Sequence, residues 1–152
     1  ANWDVSKITS MYGLFTYMES CNPNIRSWDV SKVTNFGSMF ASANAFNQDI
    51  STWDVSKGSN FAGMFWSAEA FNHDISNWVV SSGTNFLQMF YKARAFNQDI
   101  SNWDVSSGND FYWMFKNAEA FNQPLLYCKW QTNDSFKNLN TNPCFQSESC
   151  GW

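Results

Sequence analysis

Little in this chain can move a proton or hold a metal ion. Its 152 residues include one histidine, His73, and four scattered cysteines, Cys21, Cys128, Cys144 and Cys150. None forms the Cys-x-x-Cys pair that zinc sites favour. Charged residues make up 14% of the chain, against about 25% in an ordinary domain. The net charge of −4 is thinly spread, so no basic surface is offered to nucleic-acid phosphates. No apolar run approaches the ~20 residues of a membrane-spanning helix. These shortages point away from an enzyme, imply no cofactor, and give no reason to expect a nucleic-acid partner or a membrane span.

Aromatic side chains are abundant instead. Nine Trp and fifteen Phe bring the aromatic fraction to 19%, more apolar surface than a disordered chain holds in water. The length suits one domain with a real core. Those aromatics recur every 25 residues, the signature of a repeat architecture. Trp3, Trp28, Trp53, Trp78 and Trp103 form one column, followed by Val5, Val30, Val55, Val80 and Val105. Phe36, Phe61, Phe86 and Phe111 make another, then the pairs Met39-Phe40, Met64-Phe65, Met89-Phe90 and Met114-Phe115. Each copy ends on Phe-Asn and an aliphatic residue, as at Phe46, Asn47 and Ile50. A period kept without insertion predicts five equivalent coils over residues 1–125, with every one of these columns facing inward. Residues 126–152 read as a degenerate sixth coil and cap, with Cys128 in the Trp position and Trp130 in the Val position.

Within a coil the alternation around Trp53, Asp54 and Val55 predicts a short parallel strand. The apolar offsets from Phe61 to Met64, Phe65 and Ala68 predict a helix of about two turns, with Ser59 and Asn60 as N-cap residues. The expected fold is therefore an α/β repeat solenoid with one strand and one helix per coil.

The string Phe46-Asn47-Gln48-Asp49-Ile50-Ser51-Thr52-Trp53-Asp54-Val55-Ser56 resembles the BspA-like bacterial surface-protein repeat, a domain of unknown function with 25-residue repeats. The resemblance covers about residues 1–125 and implies leucine-rich-repeat-like coils. It also implies a secreted or surface-displayed protein that serves adhesion or assembly, with no known enzyme activity. The chain departs from the pattern at Met18–Asn24, and at Gly58, Gly83 and Gly108, where earlier coils carry Ile8 or Val33. These glycines are expected to tighten a strand-to-helix bend.

Four cysteines suit an oxidising compartment. Cys21 and Cys128 lie about four coils apart, roughly 20 Å at strand spacing, too far for a disulfide. Cys21 falls in a Phe column, as a buried small hydrophobe. Cys128, Cys144 and Cys150 are the disulfide candidates, as a staple for the cap.

Asp4, Asp29, Asp54 and Asp104 form an outward column interrupted by Val79. Like charges at strand spacing repel, so the neighbouring Ser hydroxyls and amides are expected to hold them. Asp29, Asp54 and Asp104 are also weak calcium candidates. Asn22, Asn47, Asn72, Asn97 and Asn122 read as a structural ladder, with His73 in the place of Gln48, Gln98 and Gln123. Asn133-Asp134-Ser135 is a glycosylation acceptor string.

The remaining signal is a set of aromatic and aliphatic residues on the outer side of the coils. Trp66, Leu87, Tyr91, Tyr112 and Trp113 stand where coil two has Gly37, Ser38 and Ala41. Trp66 and Tyr91 share a column and are expected to stack. A contiguous apolar patch marks a contact surface, here for a protein neighbour or a cell-surface glycan. The expected role is a non-enzymatic, extracellular or surface-exposed interaction scaffold. A carbohydrate-binding module and an ice-binding protein are the alternatives, the latter disfavoured by an Asp column where Thr would be needed.

Overall fold

The structure, a computed structural model, describes residues 3–123, 130 and 133–135. Five coils follow one another: coil one to residue 25, then 26–50, 51–75, 76–100 and coil five from 101. Each lies on the next in parallel register. Single bridges join Ser10 to Asn35, Asn35 to Asn60, Asn60 to Asn85 and Asn85 to Asp110. Every step is one sequence period.

The coils are not built from a strand and a helix. Across residues 3–123 there is no α-helix, and parallel pairing never extends beyond those isolated bridges. The bridges also form at the Asn60 column, not at the Trp-Val segment read as a strand. That segment links two turns, one closed by the Trp53 N–H donating to the Ile50 carbonyl at 3.1 Å and the next by the Gly58 N–H donating to the Val55 carbonyl at 2.8 Å.

The segment expected to be helical is a run of tight turns. Met64 N–H donates to Phe61 O (3.1 Å), Trp66 to Gly63 O (3.0 Å) and Ala68 to Phe65 O (3.1 Å). The amides in between point to the next coil: Phe61 to Asn85 O (2.9 Å), Gly63 to Leu87 O (2.8 Å), Phe65 to Met89 O (2.9 Å) and Ser67 to Tyr91 O (2.7 Å). Two positions per coil take positive φ, Gly63 and Ser67 here, and Ser38 with Ser42 or Gln88 with Lys92 in neighbouring coils. A left-handed residue every four positions is incompatible with an α-helix and belongs to the third place of type II turns. Turns of this kind still direct Phe61, Met64, Phe65 and Ala68 inward, all fully buried. The apolar offsets are those of a helix face; the hydrogen bonds are not.

The core consists of aromatic ladders that climb through the coils. Phe15, Phe40, Phe65, Phe90 and Phe115 stack with successive ring centroids 5.5–5.6 Å apart. Phe36, Phe61, Phe86 and Phe111 stack at 5.2–5.5 Å. A third ladder runs from Phe46 to Phe121 at 5.8–6.1 Å. Trp53, Trp78 and Trp103 are buried with them. Each places its indole N–H on a carbonyl 28 residues earlier in the chain, at Ile25, Ile50 and Ile75 respectively (3.0–3.2 Å). The inward columns are therefore as the period predicts, except in the Trp column of the first two coils, where Trp3 is 64% exposed and Trp28 half-buried. Cys21 is exposed as well; its Phe column is closed only where a coil lies on both sides.

Gly58, Gly83 and Gly108 serve packing, not a bend. A Cβ at Gly83 would stand 2.4 Å from the Phe86 ring and 2.9 Å from the Val80 carbonyl. The ring lies over the bare backbone three residues before it.

Beyond coil five, Trp130 and Asn133 hold the register. Asn133 N–H donates to Trp130 O at 2.9 Å, repeating the bond from Gly108 to Val105 one coil earlier. The Trp130 ring stacks on Trp103 at 6.4 Å. Asn133 Nδ2 donates to both Val105 O and Gly108 O at 2.8 Å. Its side chain is thus committed to covering coil five. In this folded state it is not presented as a glycosylation acceptor. Cys128, Cys144 and Cys150 lie outside the described residues.

Candidate functional site

The outer strip begins from two columns of the turn run. One carries Thr16, Ala41, Trp66, Tyr91 and Lys116; another carries Gly13, Ser38, Gly63, Gln88 and Trp113. Coil stacking sets their spacing, so large residues in one column must touch. Trp66 and Tyr91 stack with centroids 6.0 Å apart and planes 6° from parallel. Tyr91 continues to Trp113 at 6.0 Å and 24°, and Trp113 to Tyr112 at 4.6 Å and 22°. Four of the five predicted residues therefore form one continuous aromatic strip. Leu87 is half-buried one coil before Tyr112 in the same column. Its carbonyl takes the Gly63 N–H and its own N–H donates to Asn85 Oδ1 (3.0 Å). It borders the strip.

Two lysines complete the arrangement, and sequence reasoning overlooked both. Lys116 follows Trp66 and Tyr91 in their column, and its Nζ lies 3.6 Å from the Trp113 ring centroid. Lys92 Nζ lies 5.3 Å from the centroid of Tyr91. Cations over aromatic faces are held by the ring quadrupole. The column position of Lys116 was the signal available in the sequence. Trp113 itself sits at φ +56°, a region unfavourable for a bulky residue. The stacking on Tyr91 and Tyr112 and the cover of Lys116 hold it there.

The strip's chemistry follows from its geometry. Stacked rings turn their faces to one another and their edges outward. Tyr91 has Trp66 and Trp113 as stacking neighbours, while Trp113 meets Tyr91, Tyr112 and Lys116. What reaches solvent is ring edge, hydroxyl, indole rim and ammonium. Tyr112 is the most open of the five.

The acidic column is arranged for turn-making. Asp29 Oδ1 accepts the Ser31 N–H at 3.1 Å and the Ser31 hydroxyl at 2.6 Å. Asp4 and Asp49 accept the same pair from Ser6 and Ser51, and Asp54 and Asp104 accept the amides of Ser56 and Ser106. Hydrogen bonds from the serine hydroxyl and then its amide favour the charged form. They hold Asp4, Asp29, Asp49, Asp54 and Asp104 below the usual carboxylate value. Among the described residues, no group of three or more His, Cys, Asp or Glu could hold a metal ion. Asp29, Asp54 and Asp104 are thus Asx-turn residues without a shared ligand cage.

The asparagine ladder is backbone-directed. Asn47, Asn72, Asn97 and Asn122 each donate their N–H to the Oδ1 of the Asn one coil earlier (2.9–3.1 Å). Gln48, Gln98 and Gln123 reach across the same step to the carbonyls of Asn22, Asn72 and Asn97. These residues tie coils together along an exposed corner. Charge is laddered too: Arg94 bonds Glu69 on one side and Glu119 on the other, both at 3.1 Å.

No curated protein and no solved structure matches the chain. A family model described as "Mycoplasma protein of unknown function, DUF285" matches residues 1–96 and again 60–149. The two overlapping matches together span nearly the whole stack, and the chain belongs to that family.

Proposed function

We propose that the protein is a non-enzymatic interaction scaffold of the BspA-like kind, displayed outside the cell, whose aromatic strip packs against a protein neighbour. One observation carries this reading: Trp66, Tyr91, Trp113 and Tyr112 stack continuously along the outside of the coils. The coil does not require them there, because coil two places Gly37, Ser38 and Ala41 at the equivalent positions. Rigid Trp and Tyr side chains with polar tips are the composition of interface hot spots. The ring geometry favours a protein over a glycan. Sugars stack on open ring faces, and the faces of Tyr91 and Trp113 are already met by other side chains. Glycan binding remains the second reading, supported by the exposure of Tyr112.

The test replaces Trp66, Tyr91, Tyr112 and Trp113 together by Ser. Parent and variant are compared on a panel of immobilised extracellular-matrix proteins and on a glycan array. The expected result is loss of protein binding with the cooperative melt retained. Protein binding unchanged in a folded variant would refute the strip's role, and binding confined to glycans would favour the second reading.

A further inference from the structure

Resting on the strip's role as a protein contact, we propose that the partner segment it receives is acidic, and that Lys92 and Lys116 select it.

The first observation is where positive charge stands without a counterpart. The chain as a whole carries a net charge of −4, and several of its cations are already matched. Arg26 is ion-paired with Asp49 at 2.6 Å, and Arg94 with Glu69 and Glu119 at 3.1 Å each. Lys32 attracts the carboxylates of Asp4 and Asp29, and Lys57 that of Asp54. Among the described residues, Lys92 and Lys116 form no ion pair, and they are the cations that lie over the strip's rings. The acids nearest to the strip along the chain are committed elsewhere. Asp110 takes the Tyr112 N–H at 3.0 Å, while Glu69 and Glu119 hold Arg94.

The second observation is that the two ammonium groups are set in place together. Lys92 N–H donates to the Lys116 carbonyl at 2.9 Å, so both side chains leave adjoining stretches of backbone. Lys116 Nζ is held 3.6 Å from the Trp113 centroid, and Lys92 Nζ 5.3 Å from that of Tyr91. Rings that already order long side chains reduce the freedom lost when a partner docks. The coil demands neither lysine: Ala41 stands in the place of Lys116, and Ser42 and Ser67 in that of Lys92.

Those two observations fix the chemistry of the occupant. A segment seated on the rings strips water from both ammonium groups as well. A charge covered without a counter-charge is costly, so a neutral or basic segment is penalised. A segment with carboxylates pairs them while its apolar groups meet the rings. Charge placed in this way sets partner choice and salt dependence more than total affinity.

The test measures binding of the immobilised 152-residue chain to soluble probes: a copolymer of glutamate and tyrosine, a copolymer of lysine and tyrosine, and heparin. The acidic copolymer should bind at about 50 mM salt and weaken at about 300 mM, and the basic copolymer should not bind. Lys92→Gln with Lys116→Gln should weaken the acidic copolymer about tenfold at an unchanged melting point, and Lys92→Arg with Lys116→Arg should retain it. No binding of the acidic copolymer, equal binding of the two copolymers, or indifference to the Gln substitutions would overturn the proposal. So would heparin held through the lysines where the acidic copolymer is not, since this assigns the charge to a sulfated glycan. The variant with Ser at Trp66, Tyr91, Tyr112 and Trp113 separates the strip from its charge. Binding lost there and unchanged in the lysine variant leaves the strip's role standing and removes its acidic preference. Binding lost in the lysine variant and unchanged there removes the strip's role itself.

Discussion

The indole N–H of Trp78 donates to the carbonyl of Ile50 at 3.1 Å, inside the core and 28 residues back along the chain. One side chain therefore fills the aromatic column and ties it to the backbone at the end of coil two. Trp78→Ala should cost about 3–5 kcal/mol as a large core truncation. Trp78→Phe keeps an aromatic ring but removes one of the two donors on the Ile50 carbonyl, the other being the Trp53 N–H, at about 0.5–1.5 kcal/mol. Urea unfolding of the two variants checks both values; a Phe variant as stable as the parent would deny the hydrogen bond any importance.

At Gly83 the obstacle to a side chain is the ring of Phe86, 2.4 Å from where a Cβ would stand. Gly83→Ala should destabilise by about 1–3 kcal/mol through overpacking. Adding Phe86→Leu should recover part of that loss, so the double variant should be more stable than the two separate costs imply. Strict additivity would place the clash elsewhere.

Gln88 occupies a left-handed position at φ +53° where coil three has Gly63. Gln88→Gly should stabilise by about 0.5–1 kcal/mol, because relief of the left-handed cost outweighs the added freedom of the unfolded chain. Thermal melts suffice to measure it. A lowered melting point would mean that the Gln88 side chain contributes packing beyond its backbone strain.

Five aspartates held below the usual carboxylate value make stability depend on acid. With folded values below unfolded ones, their contribution is fully present above about pH 4 and fades as pH drops through the lower folded values. Melting points recorded from pH 6 down to pH 2.5 should be flat and then fall. Ser31→Ala with Ser51→Ala removes the hydroxyls that hold Asp29 and Asp49 and should shallow that fall. An identical acid profile in the double variant would remove the serines as the cause.

Period, inward columns and the touching of Trp66 with Tyr91 were legible because each follows from spacing alone. The backbone was not. Phe61, Met64, Phe65 and Ala68 have helical offsets, yet turns with alternating handedness bury the same four side chains. Side-chain pattern reports which residues face inward, while the destination of each amide decides between helix and turn. Asn60 looked like a helix cap and is a bridge residue instead. Cys21 looked buried because its column is; a column says nothing of which coil lacks a neighbour. The lysines of the strip are not visible to a reading that follows only the aromatic and aliphatic members of a column, although Lys116 continues the column of Trp66 and Tyr91 and covers Trp113.

The alternation of amides in the turn run also governs how the molecule comes apart. Half of the turn amides in each of coils one to four depend on the carbonyls of the coil after it, as Phe61, Gly63, Phe65 and Ser67 depend on coil four. A coil in the middle cannot swing out alone without stranding donors on one flank and acceptors on the other. Loosening therefore begins at an end and travels inward one coil at a time, as in linear arrays whose units touch only their neighbours. The molecule frays like a rope; it does not gape like a hinge.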